Sequence, residues 1–170
     1  MSCDLTSGRA WQCKEQTGGI VAVYFANFGE LTGLSVTSGN ISTGLTGKTL
    51  YKYVLPEYTA SLTENLNASP ENGTIFYEQV LEMTLHKLRA GDRNEIKLLA
   101  KGRPHIIIED NNGNKLLAGF QKGMDVTAGT AVTGAAGGDL SGYTLTFTGR
   151  EVDSFPFITD DLSNATIVTS

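Results

Sequence analysis

The apolar residues of the chain fall in short runs separated by Gly, Asn, Ser and Thr, which predicts many short strands joined by turns. Residues 19–25 are apolar at almost every position and follow Gly18, so they are expected to form a strand buried on both faces. Residues 143–148 alternate strictly between apolar residues and Thr, which predicts a strand with one buried face. Three further turn-bounded pieces are predicted as strands, at residues 34–37, 41–45 and 50–55.

Residues 57–88 predict a long hairpin. Apolar and polar residues alternate in its first half, from Tyr58 onward, and residues 65–72 supply a cluster of turn residues. In residues 74–88, most apolar side chains fall at every second position. A helix is the alternative for the last segment, because one apolar stripe also fits a helical repeat through Phe76, Val80, Met83 and Lys87. The period of two favours the hairpin.

One short α-helix is predicted over residues 92–101. Asp92 and Glu95 have the spacing of a capping box, in which the first side chain caps the helix and the second reaches back to the cap amide. Gly102 suits a left-handed residue after the helix, and Pro104 prevents continuation. A helix of this length needs a sheet to dock on.

The second half of the chain predicts another hairpin and then weaker signals. Residues 105–119 form two strand-like runs around an Asn-Gly turn. Residues 123–142 are rich in Gly, Ala and Thr, too small to build much core, and are expected to be a flexible loop. The polar C-terminal arm, residues 150–170, is expected to pair with a neighbouring molecule, and residues 1–17 form an N-terminal segment.

Composition places these elements in one acidic domain over residues 1–170. The chain has 170 residues, of which 20 are Gly. A domain of this length buries roughly 70% of the surface that its unfolded chain exposes, so it needs no metal or disulfide to fold. With 13 Lys+Arg against 18 Asp+Glu, the net charge of −5 argues against nonspecific nucleic-acid binding. No apolar run is long enough for a membrane helix, and neither a signal peptide nor a lipid anchor at Cys3 is expected.

Two motifs suggest ligand sites but depart from the required pattern. Residues 47–49 read Gly-Lys-Thr, yet Ser42 stands where a phosphate loop needs Gly, and a strand rather than a helix is expected to follow. Asp110, Asn112 and Asn114 have the spacing of a calcium loop, but Gln121 stands where the bidentate Glu belongs. A turn between strands is the better interpretation of both.

The remaining candidates for chemistry are few. His86 and His105 have no adjacent nucleophile or acid motif, and structural roles are favoured for both. Cys3 and Cys13 lack partners at metal-ligand spacing and are expected to be free thiols, while Asp160 and its neighbour Asp161 are expected to face solvent. We therefore predict no catalytic, cofactor-binding or metal-binding residues, no cofactor, and a protein that is not an enzyme.

The order of these elements resembles that of the tail-tube family of tailed bacteriophages. The sequence pattern is closest to virion proteins of crAss-like phages of gut Bacteroidales. The resemblance rests on an early buried strand, a long hairpin, a short helix, an Asn-Gly hairpin and final strands. It spans most of residues 18–150, and its segments are residues 18–25, 72–88, the helix after Asp92, 106–119 and 137–145.

The resemblance implies a β-sandwich or half-barrel of antiparallel strands that joins edge to edge into a closed ring. One sheet would line a channel, with the helix outside, and double-stranded DNA would pass without specific binding, which the acidic net charge of the protein suits. The implied partners are copies of itself and adjacent tail or connector proteins, with no membrane. The protein would be made and assembled in the bacterial host cytoplasm and reside in the virion tail, its loops 30–49 and 123–142 ordering when rings stack.

Other classes stay open. A head-to-tail connector or a capsid decoration protein is the main alternative, because the motifs do not separate virion layers. A carbohydrate-binding β-sandwich needs exposed aromatic platforms, and the chain has one Trp, Trp11. A small enzyme is disfavoured by the missing nucleophile and base.

Overall fold

The fold is mainly β, as the sequence predicts. A computed structural model describes residues 3–169, so the ends of the predicted segments 1–17 and 150–170 lie outside the described residues. One helix, α1, spans Ala90–Lys101, and a 3₁₀ turn spans Leu162–Asn164. The strands are β1 Ile20–Ala26, β2 Asn40–Ile41, β3 Thr49–Val54, β4 Ala60–Ser69, β5 Thr74–His86, β6 His105–Asp110, β7 Lys115–Ala118, β8 Asp125–Val132, β9 Gly142–Glu151, β10 Phe157–Ile158 and β11 Thr166–Val168.

The strands form two sheets. The seven-stranded sheet has the order β11-β3-β1-β6-β7-β10-β2 and curls into a half-barrel. The four-stranded sheet has the order β4-β5-β9-β8, and its three pairings are antiparallel. The two sheets share an apolar core, to which each contributes one face.

The predicted strand buried on both faces is confirmed as β1. Val23 and Phe25 point into the core between the two sheets, while Ala22 and Tyr24 point into a second core on the opposite face of the seven-stranded sheet. Successive strand residues face opposite sides, so a sheet covered on both sides needs a continuous apolar run rather than an alternating one.

The second core explains why two predicted strands are absent. The loops on either side of β2, residues 27–39 and 42–48, place Leu31 and Leu45 in the second core, and Ile41 of β2 joins them there. Within the predicted pieces 34–37 and 41–45, only Ile41 belongs to a named strand, together with one isolated bridge at Thr37. Leu45 is buried without a ladder, because a covering loop also buries apolar side chains.

The C-terminal arm pairs with its own chain rather than depending on a neighbour. Strand β10 runs parallel to β2, and β11 runs parallel to β3, so two pairings of the seven-stranded sheet are not antiparallel. Asp160, expected at the surface, is buried. Its carboxylate accepts hydrogen bonds from the amides of Leu45 and Asp161 at 3.2 and 2.9 Å, and from Asn164 Nδ2 at 3.0 Å. The arm thereby seals the second core.

The long hairpin is confirmed as β4 and β5, joined by a turn at residues 70–73. Strand β4 extends to Ser69, five residues into the expected turn cluster, and the helix alternative for β5 is wrong. Residues 123–142, expected to be a loop, contain the strand β8. This strand is held mainly by its backbone ladder to β9, so its small side chains give no apolar signal.

The single helix is confirmed, but its predicted caps are wrong. The helix begins at Ala90 with Arg89 as its N-cap residue, and no side chain caps it, so Asp92 lies in the first turn instead. Gly102 has an extended backbone with φ −95°, not a left-handed one, and its amide donates to the Leu98 carbonyl. Ile96 and Leu99 dock the helix on the core between the sheets.

Candidate assembly surfaces

Both ligand-like motifs form turns between strands. The Asp110 carboxylate accepts hydrogen bonds from the amides of Asn112 and Asn114, at 2.9 and 2.8 Å, and so organises the turn between β6 and β7. Gly113 completes this turn at φ +81°. Gly47 lies in a turn that leads directly into β3, so no helix N-terminus follows to hold a phosphate.

The histidines and cysteines do not come together. His105 is fully buried, and its Nε2 accepts the Gly29 amide at 3.0 Å while its Nδ1 lies 2.6 Å from the Gly119 carbonyl oxygen. A neutral ring with its proton on Nδ1 satisfies both contacts, and burial lowers the pKa of His105. His86 is exposed, as are the free thiols of Cys3 and Cys13. Among residues 3–169, no group of His, Cys, Asp and Glu is arranged to hold a metal ion.

A buried polar network that the sequence does not predict connects the two sheets. Gln79, on β5, donates to the Glu64 carboxylate and accepts from the Gly119 amide, each at 2.9 Å. Glu151 accepts the amides of Gln121 and Lys122. Burial raises the pKa of Glu151, and these hydrogen bonds oppose the shift. Protein hydrogen-bond partners occupy the polar atoms of these side chains, so the network fixes the loop after β7 and is not an open site.

The outward face of the four-stranded sheet is polar and acidic. Its register puts Glu78, Glu82 and Asp125 on the face opposite the buried side chains, with Arg150 as the one cation among the described residues of these strands. Arg150 pairs with Glu78 at 3.3 Å. The rest of this face is rich in hydroxyl groups, from Ser61, Thr63, Thr84, Thr130, Thr144, Thr146 and Thr148.

Both edges of the same sheet are long. Strand β4 has 10 residues and β8 has 8, and within residues 3–169 each pairs with one strand only. Monomeric proteins protect such edges with Lys, Pro or a covering loop, because unpaired backbone groups recruit other strands. Neither strand contains Lys or Pro.

The ladder identifies which backbone groups are open. The Thr84 amide donates to the Thr59 carbonyl at 3.1 Å, and bonded pairs alternate along an antiparallel ladder. The even-numbered amides of β4 therefore face its open edge. The Lys87 amide donates to the Ser141 carbonyl, so the odd-numbered backbone groups of β9 face β5 and its even-numbered groups face β8. The amides of Gly129 and Ala131 therefore face the open edge of β8.

The two open edges are complementary in direction. Three successive antiparallel pairings make β8 run opposite to β4. A second copy in the same orientation therefore brings its β8 antiparallel to β4 of the first. The β4–β5 hairpin also leaves Leu66, Ile75 and Phe76 exposed near its tip, an apolar group beside the open edge.

No helix among the described residues is long and apolar enough to cross a bilayer. Comparison of the chain with family models, curated proteins and solved structures finds no match.

Proposed function

We propose that the protein is a structural virion subunit that joins edge to edge into a ring or tube layer of a phage tail and forms part of the conduit for DNA ejection. The carrying observation is the pair of long edges on the four-stranded sheet, each paired with one strand only among residues 3–169. Its partners are further copies of itself and the adjacent tail or connector proteins.

The directions of the strands support closure. Joining β4 of one copy to β8 of the next is a head-to-tail contact between different surfaces. Such a contact repeats with a fixed rotation and closes into a ring when that rotation divides a full turn. Each closure pairs the open groups of β4 with those around Gly129 and Ala131, which removes both exposed edges from every subunit.

The chemistry of the outward face supports a DNA conduit. In a closed ring this face is continuous around the ring, with Glu78, Glu82 and Asp125 repeated in every copy. A surface with excess carboxylates lacks the Lys and Arg that bind phosphate through counterion release. Passing DNA is then repelled weakly and not retained. The helix lies away from this face, against the core between the sheets.

An edge variant tests the proposal. Ala131→Pro removes an amide that faces the open edge of β8 and takes no part in the ladder to β9. Sheets tolerate proline at such an edge position. We expect the wild-type protein to form rings or tubes by light scattering and negative-stain imaging. The variant is expected to stay monomeric with an unchanged circular dichroism spectrum.

Two companions sharpen this test. Ala131→Thr keeps the amide and is expected to assemble like the wild type, and Ala68→Pro is expected to block the β4 side as Ala131→Pro blocks the β8 side. A wild-type protein that stays monomeric at every concentration contradicts the proposal. Rings that survive both proline variants contradict edge pairing. Single rings without tubes would favour the connector alternative.

A further inference from the structure

Helix α1 carries a local excess of positive charge in an acidic protein. Residues 87–103 contain six of the 13 Lys and Arg of the chain but two of its 18 acidic residues, Asp92 and Glu95. The net charge of the whole chain is −5, so the residues outside this segment are strongly negative, with 7 Lys and Arg against 16 acidic residues. The two signs of charge are therefore separated along the chain.

Four of the six cations lie along one side of the helix. They recur at every fourth position from the N-cap residue onward, which places successive side chains on the same face, about 6 Å apart along the axis. All four are exposed, and among residues 3–169 no salt bridge involves any of them. We call them the basic stripe, which consists of Arg89, Arg93, Lys97 and Lys101.

The two acidic residues of the helix face the protein instead. Burial raises the pKa of Tyr53 on β3, and the negative charges of Glu95 and Asp92 raise it further. Both carboxylates therefore lie on the side of the helix that faces β3, the side from which Ile96 and Leu99 pack on the core. The basic stripe keeps its positive charge toward solvent.

The basic stripe is unfavourable for the helix itself. Like charges four positions apart repel one another, and Arg89 and Arg93 lie at the positive end of the helix dipole, where cations are disfavoured. No acidic residue lies three or four positions from Arg93, Lys97 or Lys101 to offset this repulsion. A local arrangement that opposes the stability of its own element is expected at functional sites.

The surface beside the basic stripe suits a protein chain better than a nucleic acid. Phe28 and Leu98 are 49% and 55% exposed and line a groove of about 440 Å³, which borders the stripe because Leu98 lies one turn before Lys101. The charged residues of this lining, Glu95 and Arg103, have opposite signs, so the groove accepts an apolar side chain. A long nucleic acid would also meet the acidic remainder of the surface, which repels phosphate.

The spacing of the basic stripe matches an extended peptide. Alternate residues of an extended chain lie about 6.6 Å apart, close to the step of about 6 Å between successive cations of the stripe. An acidic residue at every second position of such a peptide therefore faces one cation after another.

We propose that the basic stripe of α1 binds an extended acidic segment of a partner protein, with an apolar side chain of that segment seated against Phe28 and Leu98. The identification of this partner as an adjacent tail or connector protein rests on the proposed function. The binding itself uses α1 and leaves the strand edges free, so the two proposals can fail separately.

A labelled peptide tests the proposal on the full chain in the Ala131→Pro background. The probe has about ten residues, with Glu at alternate positions and Ser between them, except for one central Leu. We expect fluorescence anisotropy to show binding that weakens at least about tenfold in about 1 M salt, where the screening length is roughly 3 Å. The peptide with Gln in place of Glu is expected not to bind, and the peptide without Leu is expected to bind more weakly.

Charge reversal at two matched places locates the site. The double variant Arg93→Glu, Lys97→Glu is expected to weaken binding at least about tenfold, because two contacts of the stripe become repulsive. It is expected to keep the circular dichroism spectrum, since each new carboxylate lies four positions from a remaining cation, Arg89 or Lys101. The control, Arg9→Glu with Lys14→Glu, changes the net charge equally in the exposed segment before β1 and is expected to bind as the parent protein does.

Several outcomes overturn the proposal. Equal loss of binding in both double variants would assign the binding to net charge, and equal affinity of the peptides with and without Leu would contradict the seating against Phe28. A labelled DNA duplex that requires the stripe and binds more tightly than the peptide would assign the stripe to nucleic acid. Self-association of the Ala131→Pro protein that requires the stripe would assign it to a second copy.

The same samples keep this proposal apart from the ring. If the peptide binds through the stripe while the wild type forms no rings under any condition, the docking stands and the ring proposal fails. If the wild type forms rings and the peptide binds neither the rings nor the Ala131→Pro protein, the docking proposal fails and the ring proposal stands.

Discussion

The two sheets of this protein differ in how much of their surface the chain itself satisfies. The seven-stranded sheet is covered on both faces and ends in edge strands of 3 and 2 residues, β11 and β2. The four-stranded sheet has one covered face and ends in edge strands of 10 and 8 residues. The chain itself satisfies most of the first sheet, whereas the second sheet keeps two long edges open.

The surfaces that stabilise the fold therefore differ from the surfaces that stay open to a partner. The seven-stranded sheet receives its cover from the loops on either side of β2 and from the C-terminal arm, so its apolar groups are buried without a neighbour. The four-stranded sheet keeps its polar face and its open ladders, which cost little in a folded monomer because water solvates them. The proposed ring would use these open ladders and leave both cores undisturbed.

The largest expected effect tests the two-faced burial of the seven-stranded sheet. Ile107 and Ile108 are consecutive on β6 and point into different cores. Replacing either with Ala removes buried methyl groups and leaves a cavity, so each is expected to lower the free energy of unfolding by about 2–5 kcal/mol. Urea denaturation in the Ala131→Pro background measures this without a contribution from assembly.

The matched pair lies on β9 of the four-stranded sheet. Phe147 is fully buried and Thr146 faces outward. Phe147→Ala is expected to cost about 3–5 kcal/mol, and Thr146→Ala less than about 1 kcal/mol. The contrast between the sheets is contradicted if Thr146→Ala costs as much as Phe147→Ala, or if Ile107→Ala has a negligible cost.

A second prediction concerns pH and is intermediate in size. Burial lowers the pKa of His105 below its ordinary value of 6.5, and the hydrogen bond to the Gly119 carbonyl opposes this shift. The unfolded chain therefore binds a proton more readily than the folded one. The stability that neutral His105 contributes is complete above pH 6.5 and is lost as pH falls through the lowered pKa. Protonation of Nε2 also removes the acceptor of the Gly29 amide.

The measurement is the difference in unfolding free energy between the wild type and His105→Gln from pH 8 to pH 4.5, which isolates this group from the carboxylates. We expect the wild type to lose its advantage over the variant in the acidic range. His86→Gln, on the four-stranded sheet, retains His105 and is expected to keep the wild-type profile. A wild-type advantage that stays constant over the whole range would assign the acid sensitivity to other groups.

The strands that bury large side chains could be predicted from the sequence, because burial leaves a periodic apolar pattern. The continuous run of β1 and the alternation of β5 and β9 are examples. Strand β8 left no such pattern, since its Gly and Ala residues are held by the ladder to β9 rather than by packing. The leucines of the pieces at 34–37 and 41–45 have the opposite property, because Leu34 is half-buried and Leu45 is buried although neither lies in a strand.

The assembly surfaces were predictable only in part. An excess of Gly and Thr indicates many edges, but which edge stays open depends on the order of the strands, which no local pattern encodes. The parallel pairing of β10 and β11 is equally nonlocal, with Thr166 opposite Thr49. Burial of Asp160 follows from that pairing, so a polar sequence at residues 159–161 gave no sign of it.

The smallest expected effect concerns the helix that closes the side of the core. If Asp92 were the N-cap, its replacement by Ala would cost about 0.5–2 kcal/mol. Because Asp92 lies in the first turn and no side chain caps the helix, it acts only through the helix dipole. Asp92→Ala is expected to lower the unfolding free energy by about 0.3–1 kcal/mol, and less at high salt, because the dipole term is screened. Lys97→Ala in the helix middle serves as the control, and a salt-independent loss near the upper limit for a cap would place the helix start at Asp92 after all.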